Sequence, residues 1–389
     1  MGNEHLQWAA AGAAVGVVAG GLGATLCSKL PSTPAGEKRY KWETGPKGKS
    51  PNERRALFRE FVRSLQDDIT TTLGELDGLQ NFKEDAWTKE NGNGQGRTRV
   101  ISGGRVFESG GCNWSELYGD RLPPSILKKH PHLNGKRFYA TGVSMVIHPR
   151  NPHCPTVHLN YRYFEAGDLD SDNMEEDNVW WFGGGMDLTP WILYEEDAEL
   201  FHQHVKDACD KHGSYVYNSL KRYADDYFLN KHRDEGRGIG GHFFDYMNGN
   251  PEKLLYQGEN PQEEAHQRKQ GWFSPKMTWT DLFAFAKDQG ASFLPAYTAI
   301  IKRRMNTTET EDQRTWQLYR RGRYVEFNLV HDRGTTFGLQ MKGRVESILM
   351  SLPALVKWGY MVKAKTAEEK ALVEVLEHPR DWLKVEPKL

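Results

Sequence analysis

Residues 156–164 constrain the fold more than any other segment, because their side chains alternate between two faces of different chemistry. One face is apolar, as in a protein core: Val157, Leu159, Tyr161 and Tyr163. The other face carries His158, Asn160 and Arg162, which are too polar to be buried without partners. An imidazole, an amide and a guanidinium in register suit a site that holds an organic anion and moves a proton. The alternative is an edge strand whose polar face contacts solvent.

A second predicted strand, residues 139–147, also has a polar face. Gly142 and Ser144 share that face, and His148 continues it just beyond the strand. Ser144 lacks the G-x-S-x-G turn that exposes a nucleophilic serine. We therefore expect Ser144 to hydrogen-bond a ligand rather than to attack it.

Residues 179–190 have the sequence VWWFGGGMDLTP. Three successive glycines after aromatic residues indicate that another group approaches the backbone closely. Asp187 beside them could accept hydrogen bonds from N–H groups of a ligand or act as a base. An Asx-turn or a helix N-cap is the structural alternative for this aspartate.

Arginines concentrate in loops that contain glycine. Arg233 and Arg237 lie four residues apart in HRDEGRGIGG (232–241) and would share one face if a helix continued through them. Residues 320–323 and 333–344 add further cationic loops. These arginines fit the binding of carboxylate or phosphate, with solvated charge as the alternative. Because 51 basic residues face 52 acidic ones, a polyanionic small molecule explains the loops better than a nucleic acid does.

The pattern of the body predicts an α+β fold. Strand-like segments cluster in the middle of the chain and recur once near its end: 98–101, 105–108, 139–147, 156–164, 179–182 and 323–329. Segments with helical spacing are 53–76, 195–211, 215–230, 278–305, 311–320, 344–357 and 367–377. Since strands and helices do not alternate regularly, an antiparallel or mixed sheet covered by helices is favoured over a Rossmann arrangement. The sequence NGNGQG (91–96) predicts a loop, and the acidic run 165–177 predicts a solvated insert.

The N-terminal part predicts a separate segment. Residues 8–26 are uncharged, rich in Ala, Gly and Val, and long enough to cross a bilayer. We predict a membrane anchor or an intermembrane sorting signal within residues 1–28, with a cleaved targeting segment as the alternative. Residues 29–52 have the composition of a linker, and residues 53–389 are the predicted folded domain.

Histidines and cysteines give little support for a metal site. His148, His153 and His158 are spaced by five, which alternates faces along a strand rather than converging. Only long-range assembly, for instance with His202 and His232, would bring histidines together. No C-x-x-C pair occurs, so neither a disulfide scaffold nor a cysteine zinc site is predicted from the four cysteines, Cys27, Cys112, Cys154 and Cys209.

Five blocks carry a family resemblance: GVSMVIHPRNPHCPTVHLNYRYFE (142–165), WWFGGGMDLTP (180–190), HRDEGRGIGG (232–241), RRGRYVEFNLVHDRGTTFGLQ (320–340) and ESILMSLP (346–353). With them, about residues 54–385 resemble the oxygen-dependent coproporphyrinogen III oxidases. The resemblance implies a flat seven-stranded antiparallel sheet between helices on both faces. It also implies a homodimer with contacts in segments 110–119 and 325–361.

The resemblance further implies the reaction. Two propionates of coproporphyrinogen III are oxidatively decarboxylated to vinyl groups, which gives protoporphyrinogen IX in haem biosynthesis. Dioxygen is the co-substrate, hydrogen peroxide is the by-product, and no cofactor is obligatory. A membrane-tethered tetrapyrrole carrier without catalysis is the alternative function. Together with the N-terminal segment, the resemblance predicts a location in the mitochondrial intermembrane space or at the inner membrane, with a cytoplasmic location as the alternative.

Individual residues take roles from the same resemblance. His158 matches a proton donor, and Asp187 matches an aspartate that engages pyrrole N–H groups. Positions that contact substrate or support activity are matched by Ser144, Asn160, Tyr161, Arg162, Arg233, Arg237, Lys342, Gly343 and Arg344. Lys342 stands where the family usually has Gly. Some members are described with a divalent metal on histidines that match His148, His158, His202 and His232, but we predict that no metal is needed.

Overall fold

The computed structural model describes residues 50–90, 92–170, 178–214, 216–248, 278–340 and 343–383. Its first helix, α1 (Pro51–Asp77), begins with a capping box: Ser50 Oγ accepts the Glu53 N–H, and the Glu53 carboxylate accepts the Ser50 N–H. The helix ends at Gly78, whose φ of 70° lies in the left-handed region that glycine tolerates. The sequence prediction of a helix over 53–76 is confirmed.

One antiparallel sheet of seven strands organises the molecule. Its strands are β1 (Lys83–Thr88), β2 (Gly94–Ser102), β3 (Phe107–Gly119), β4 (Arg137–Pro149), β5 (Thr156–Gly167), β6 (Val179–Thr189) and β9 (Gly241–Met247). They are hydrogen-bonded in the order β1-β2-β3-β4-β5-β6-β9. A short ribbon, β7 (Leu229–Asn230) with β8 (Glu235–Gly236), precedes β9.

Helices cover both faces of this sheet, so the predicted α+β class is confirmed. Besides α1 they are α2 (Pro124–Lys129), α3 (Glu195–Asp210), α4 (Val216–Tyr227), α5 (Trp279–Arg304), α6 (Glu311–Val330), α7 (Arg333–Gln340), α8 (Val345–Leu349) and α9 (Ala367–Glu377), with a 3-10 turn at Pro131–Leu133. Helices α1 and α5 pack on one face of the central strands. On the opposite face, Tyr324 of α6 packs against Val146 of β4 and Trp191.

The apolar face of β5 forms the centre of the core, as its alternation predicts. The side chains of Val157, Leu159, Tyr161 and Tyr163 are fully buried among residues of α1 and α5. Each such burial stabilises the fold by about 1.5–3 kcal/mol. The core therefore fixes which face of β5 points away from it, and that face holds His158, Asn160 and Arg162.

The predicted strand at 323–329 is wrong, because these residues continue α6 to Val330. A capping box at Thr310 and Gln313 starts this helix. Its buried positions Arg320, Tyr324 and Phe327 recur at helical spacing. Polar and apolar residues alternate in RYVEFNL, as they do in a strand. Over seven residues, however, this pattern does not distinguish the two-residue period of a strand from the 3.6-residue period of a helix.

Other sequence expectations also need correction. The predicted strand at 105–108 begins only at Phe107, and only Val345–Leu349 of the predicted helix at 344–357 is helical. Strands β1 and β9 were not predicted; β1 is mostly exposed and β9 is buried along nearly its whole length, so neither shows an alternation of exposed and buried positions. The predicted loop over NGNGQG (91–96) is wrong for residues 94–96, which lie in β2, where residues 95–96 pair with β1. A Cβ at Gly96 would lie 2.3 Å from the ring of Trp87.

Several predictions fall outside the described residues. The apolar segment 8–26, most of the linker 29–52 and residues 171–177 of the acidic run are not described, so the domain boundaries stay predictions. Glu165, at the start of that run, is buried in β5 and accepts a hydrogen bond from the Tyr163 hydroxyl. Across the ranges that the structure describes, we find no helix with the length and apolar composition needed to cross a bilayer.

Candidate active site

The polar side chains of three neighbouring strands meet on one face of the sheet, opposite the core. In the register of β5 with β6, His158 pairs with Asp187 and Arg162 pairs with Gly183. In the register of β4 with β5, Ser144 pairs with Asn160. Directly paired residues point to the same side of a sheet. The structure therefore brings together the residues that three separate sequence segments nominated, and we call this surface the polar face.

Gly183 makes room for the guanidinium of Arg162. A Cβ at this glycine would lie 2.7 Å from Arg162 Nε and 2.8 Å from its Cζ. Arg162 donates from Nη1 to Asn160 Oδ1 at 2.7 Å and is 2.9 Å from Asp245 Oδ1 through Nη2. A group therefore lies close to the backbone at the glycine run of β6, as predicted. That group is the side chain of Arg162.

A buried ion pair lies beneath this surface. Arg237 Nε donates to Asp187 Oδ2 at 3.0 Å, while the Gly240 N–H donates to Asp187 Oδ1 at 3.2 Å. Asp187 is fully buried, and Arg237 is nearly so. Burial raises the pKa of Asp187, and Arg237 offsets only part of that rise. A carboxylate with a raised pKa accepts a proton more readily than an exposed aspartate does, which suits a general base.

Arg237 connects Asp187 to His158 and to α6. Its Nη1 donates to Asn328 Oδ1 at 2.8 Å, and its Nη2 lies 3.3 Å from His158 Nδ1. Its guanidinium carbon lies within 5 Å of three ring centroids, those of Phe228 (4.3 Å), Tyr324 (4.7 Å) and Phe327 (4.9 Å). These rings stabilise a buried cation by cation–π attraction and limit its movement.

The protonation state of His158 follows from the same contact. Burial, together with the nearby charge of Arg237, lowers the pKa of His158 to about 3. The imidazole is therefore neutral at physiological pH. Since a guanidinium can only donate, Nδ1 is the acceptor and the ring proton resides on Nε2. His158 thus presents an N–H donor, and it can release a proton as an acid only after it has taken one up.

Comparison with known proteins shows which family the chain resembles. The sequence pattern of the family described as coproporphyrinogen III oxidase matches residues 57–382 of the chain. A Prochlorococcus marinus protein named oxygen-dependent coproporphyrinogen-III oxidase is 49% identical over 329 residues, which cover 84% of this chain and 92% of that protein.

Two further relatives carry the same name. One from a second Prochlorococcus marinus strain is 48% identical over 336 residues, with 86% of this chain and 93% of its own length covered. One from a Synechococcus strain is 48% identical over 334 residues, with 86% and 89% covered. The chain belongs to the coproporphyrinogen III oxidase family. The family resemblance inferred from the sequence is thereby confirmed.

Not all residues that the family resemblance nominated lie on the polar face. Tyr161 points into the core, where its hydroxyl lies 3.4 Å from His242 Nε2. Arg233 does not share a helical face with Arg237, because residues 229–230 and 235–236 form the β7–β8 ribbon instead of a helix. Arg233 is half exposed and binds both carboxylate oxygens of Glu326 at 2.9 Å.

The chain segment before and within α8 contacts the other end of the sheet: Arg344 contacts β1, and Ser347 contacts β2 and β3. Arg344 Nη2 lies 2.5 Å from Asp85 Oδ2, and the Gly343 N–H donates to the Gly338 carbonyl. Asp85, the partner of Arg344, is four strands from Asn160 in one cross-strand row and therefore roughly 19 Å from that asparagine. Lys342 lies outside the described residues.

The four histidines that match the family's described metal set are not together. His148 contacts Thr156 Oγ1 and the Ser351 carbonyl, whereas His202 contacts the Tyr217 hydroxyl and the Ile239 carbonyl. His232 contacts Glu326 and His331. Within the described ranges, no group of three or more His, Cys, Asp or Glu side chains is placed to hold a metal ion. The expectation that no metal is needed stays a prediction.

Sequence reasoning missed two residues beside the polar face. Asp245 on β9 contacts Arg162, and Arg333 at the start of α7 lies 3.8 Å from the other oxygen of Asp245. Asp245 gave no signal, because β9 itself was not predicted. Arg333 belonged to the predicted cationic loop 333–344, but that prediction is wrong, as is the predicted loop 320–323, because Arg333–Gln340 form α7 and residues 320–323 lie within α6.

Proposed function

We propose that the polar face is where this protein oxidatively decarboxylates coproporphyrinogen III. Each step converts a propionate, –CH2–CH2–COOH, and one O2 into a vinyl group, –CH=CH2, with CO2 and H2O2. Two such steps give protoporphyrinogen IX. Family membership and the shared name of the relatives support this reaction. The observation that carries the site is the Asp187–Arg237–His158 cluster at the polar side chains of β5.

In this proposal the arginines hold carboxylates and Asp187 takes a proton. Arg162 remains partly exposed on the polar face, so its guanidinium is available to a propionate. A second propionate competes with Asp187 for Arg237, and the freed carboxylate then accepts the proton of a pyrrole N–H. The raised pKa of Asp187 favours that transfer. Ser144 and Asn160 supply neutral hydrogen bonds beside the arginines.

His158 handles protons beside Asp187, on the same face of the sheet. Its Nε2–H donates a hydrogen bond to a peroxide oxygen, while Nδ1 stays bonded to Arg237. Dioxygen reacts directly with the electron-rich macrocycle, so the chain supplies orientation, proton transfer and exclusion of water. We propose that no metal or organic cofactor takes part.

A homodimer is a further part of the proposal. Large apolar side chains near the C-terminal end are exposed, and a second copy of the chain would cover them: Val345, Leu355, Trp358, Tyr360 and Met361. Light scattering should give the mass of two chains. The cyanobacterial origin of the relatives does not support a mitochondrial location. Membrane association through residues 8–26 stays a proposal, which fractionation of cells would test.

The deciding experiment is aerobic incubation of the purified, chelator-treated protein with coproporphyrinogen III. Products are oxidised to porphyrins and separated with fluorescence detection, and an anaerobic sample is the control. We expect conversion to the divinyl product only with oxygen. Tight binding without conversion would favour the tetrapyrrole carrier instead. Activity that returns only when metal is added would contradict the proposal that no metal takes part.

A further inference from the structure

Asp245 on β9 lies between two guanidinium groups that come from different parts of the fold. Its Oδ1 is 2.9 Å from Arg162 Nη2, and its Oδ2 is 3.8 Å from Arg333 Nη2. Arg162 comes from the sheet, whereas Arg333 comes from the first turn of α7. The carboxylate of Asp245 therefore links a cation on the sheet to a cation on a helix, which the pairing of strands alone would not bring together.

Aromatic rings fix the same two cations from the side. The ring of Phe243 lies 6.0 Å from the Arg162 guanidinium carbon and 5.7 Å from that of Arg333. Tyr227 stacks on Phe243 at 3.8 Å with an interplanar angle of 8°, and Arg333 lies 4.6 Å from the Tyr227 ring. The two guanidinium groups thus flank one ring, with Asp245 as their common counter-ion.

Charge and exposure indicate which side of the cluster is free. The Asp245 side chain is only 10% exposed, whereas those of Arg162 and Arg333 are 35% and 50% exposed. Two partly exposed guanidinium groups thus share the one carboxylate of Asp245, and both have an edge toward solvent. Burial lowers the pKa of both arginines, but Asp245 and the neighbouring Tyr227 together with other contacts raise it by more, so both stay charged. The cluster is therefore complementary to one further carboxylate.

We propose that Asp245 is a positioning residue that holds Arg162 and Arg333 side by side as a clamp for one propionate of the substrate. The inference rests on the proposed function, because it takes the ligand of the polar face to be a tetrapyrrole with carboxylates. Asp245 itself does not touch the substrate. Its role is to keep two flexible guanidinium groups in the geometry that one carboxylate can bridge.

The test is anaerobic binding of coproporphyrinogen III, followed by quenching of tryptophan fluorescence. Without oxygen no turnover occurs, so the dissociation constant is measured independently of catalysis. We expect Asp245→Ala to raise the dissociation constant about tenfold. Asp245→Asn keeps an acceptor oxygen for Arg162 and should raise the dissociation constant about threefold. The matched control is Asp170→Ala, since Asp170 is 82% exposed and pairs with Arg137 on the surface. It should leave binding unchanged.

A double-mutant cycle separates positioning from a general effect on folding. If Asp245 acts through Arg162, Asp245→Ala should weaken binding no more than about twofold in an Arg162→Ala background. An equal loss in both backgrounds would overturn the inference, as would unchanged binding by a folded Asp245→Ala variant. Absence of oxidation by the unmodified protein in air would instead count against the proposed function, while the anaerobic dissociation constants would still decide the role of Asp245.

Discussion

Asp187 Oδ2 lies 3.0 Å from Arg237 Nε, and neither side chain has appreciable contact with solvent. A buried pair of this kind does two things at once. It keeps a carboxylate of raised pKa beside the polar face, and it orients the guanidinium that contacts His158. Its removal should therefore affect both catalysis and folding, in proportions that depend on the replacement.

We expect Asp187→Ala to lower kcat by about a hundredfold or more, because the base is lost. It should also lower the free energy of unfolding by about 3 kcal/mol, since a buried guanidinium is left without its partner. Asp187→Asn keeps an acceptor oxygen for Arg237 and should retain more stability while losing comparable turnover. Steady-state kinetics and urea unfolding measure the two effects. A folded Asn variant with normal kcat would remove Asp187 from the mechanism.

Two neighbouring glycines of β6 should respond differently to alanine. At Gly183 the new Cβ meets the Arg162 guanidinium, which can move, whereas at Gly185 it meets the His242 carbonyl oxygen at 2.6 Å. We expect Gly183→Ala to raise KM severalfold with stability nearly unchanged. Gly185→Ala should mainly lower the melting temperature, because it disturbs the pairing of β6 with β9. Equal effects of the two changes on KM would contradict this distinction.

Arg321 attaches α6 to the sheet. Its side chain is fully buried, forms an ion pair with Glu108 and donates to the Pro149 carbonyl at 2.7 Å. Arg321→Ala leaves Glu108 buried with fewer partners and should cost about 3–5 kcal/mol in urea unfolding. The control is Arg380→Ala, whose ion pair with Glu195 is largely exposed and should contribute less than about 1 kcal/mol. A comparable loss in both variants would show that burial of the pair does not matter.

Stability should fall in mild acid because several histidines are buried and neutral. Burial lowers the pKa of His148 and of His202 to about 3. Between pH 6.5 and 3 the unfolded chain therefore binds more protons than the folded one, so the free energy of unfolding decreases as pH falls through this window. Each such histidine contributes at most about 1.4 kcal/mol per pH unit.

Urea unfolding at several values between pH 7 and pH 5 measures that slope. His202→Asn should reduce the slope of the free energy of unfolding against pH by the contribution of one buried histidine. His378 is exposed, so His378→Asn should leave the slope unchanged. If removal of His202 does not change the slope, burial of its ring is not the cause of the acid sensitivity.

The elements predicted best were those whose pattern repeats over many residues. The alternation at 156–164 and the helical spacing at 53–76 are both confirmed in β5 and α1. Residues 323–329 gave the wrong element, because a short alternating stretch fits a strand and a helix equally until its neighbours are known. The edge strand β1 was missed since it is mostly exposed and has no apolar face to signal it.

The sequence by itself determined which residue types the site contains and on which face of β5 they lie, because side chains of a strand alternate with a fixed period. Only the tertiary structure decided which of them meet. Register pairs His158 with Asp187, and the path of the chain after β8 buries Arg237 against both, while Arg233 turns to Glu326. Such contacts join residues from 29 to 93 positions apart. Their distances depend on how strands and helices pack, which local spacing does not contain.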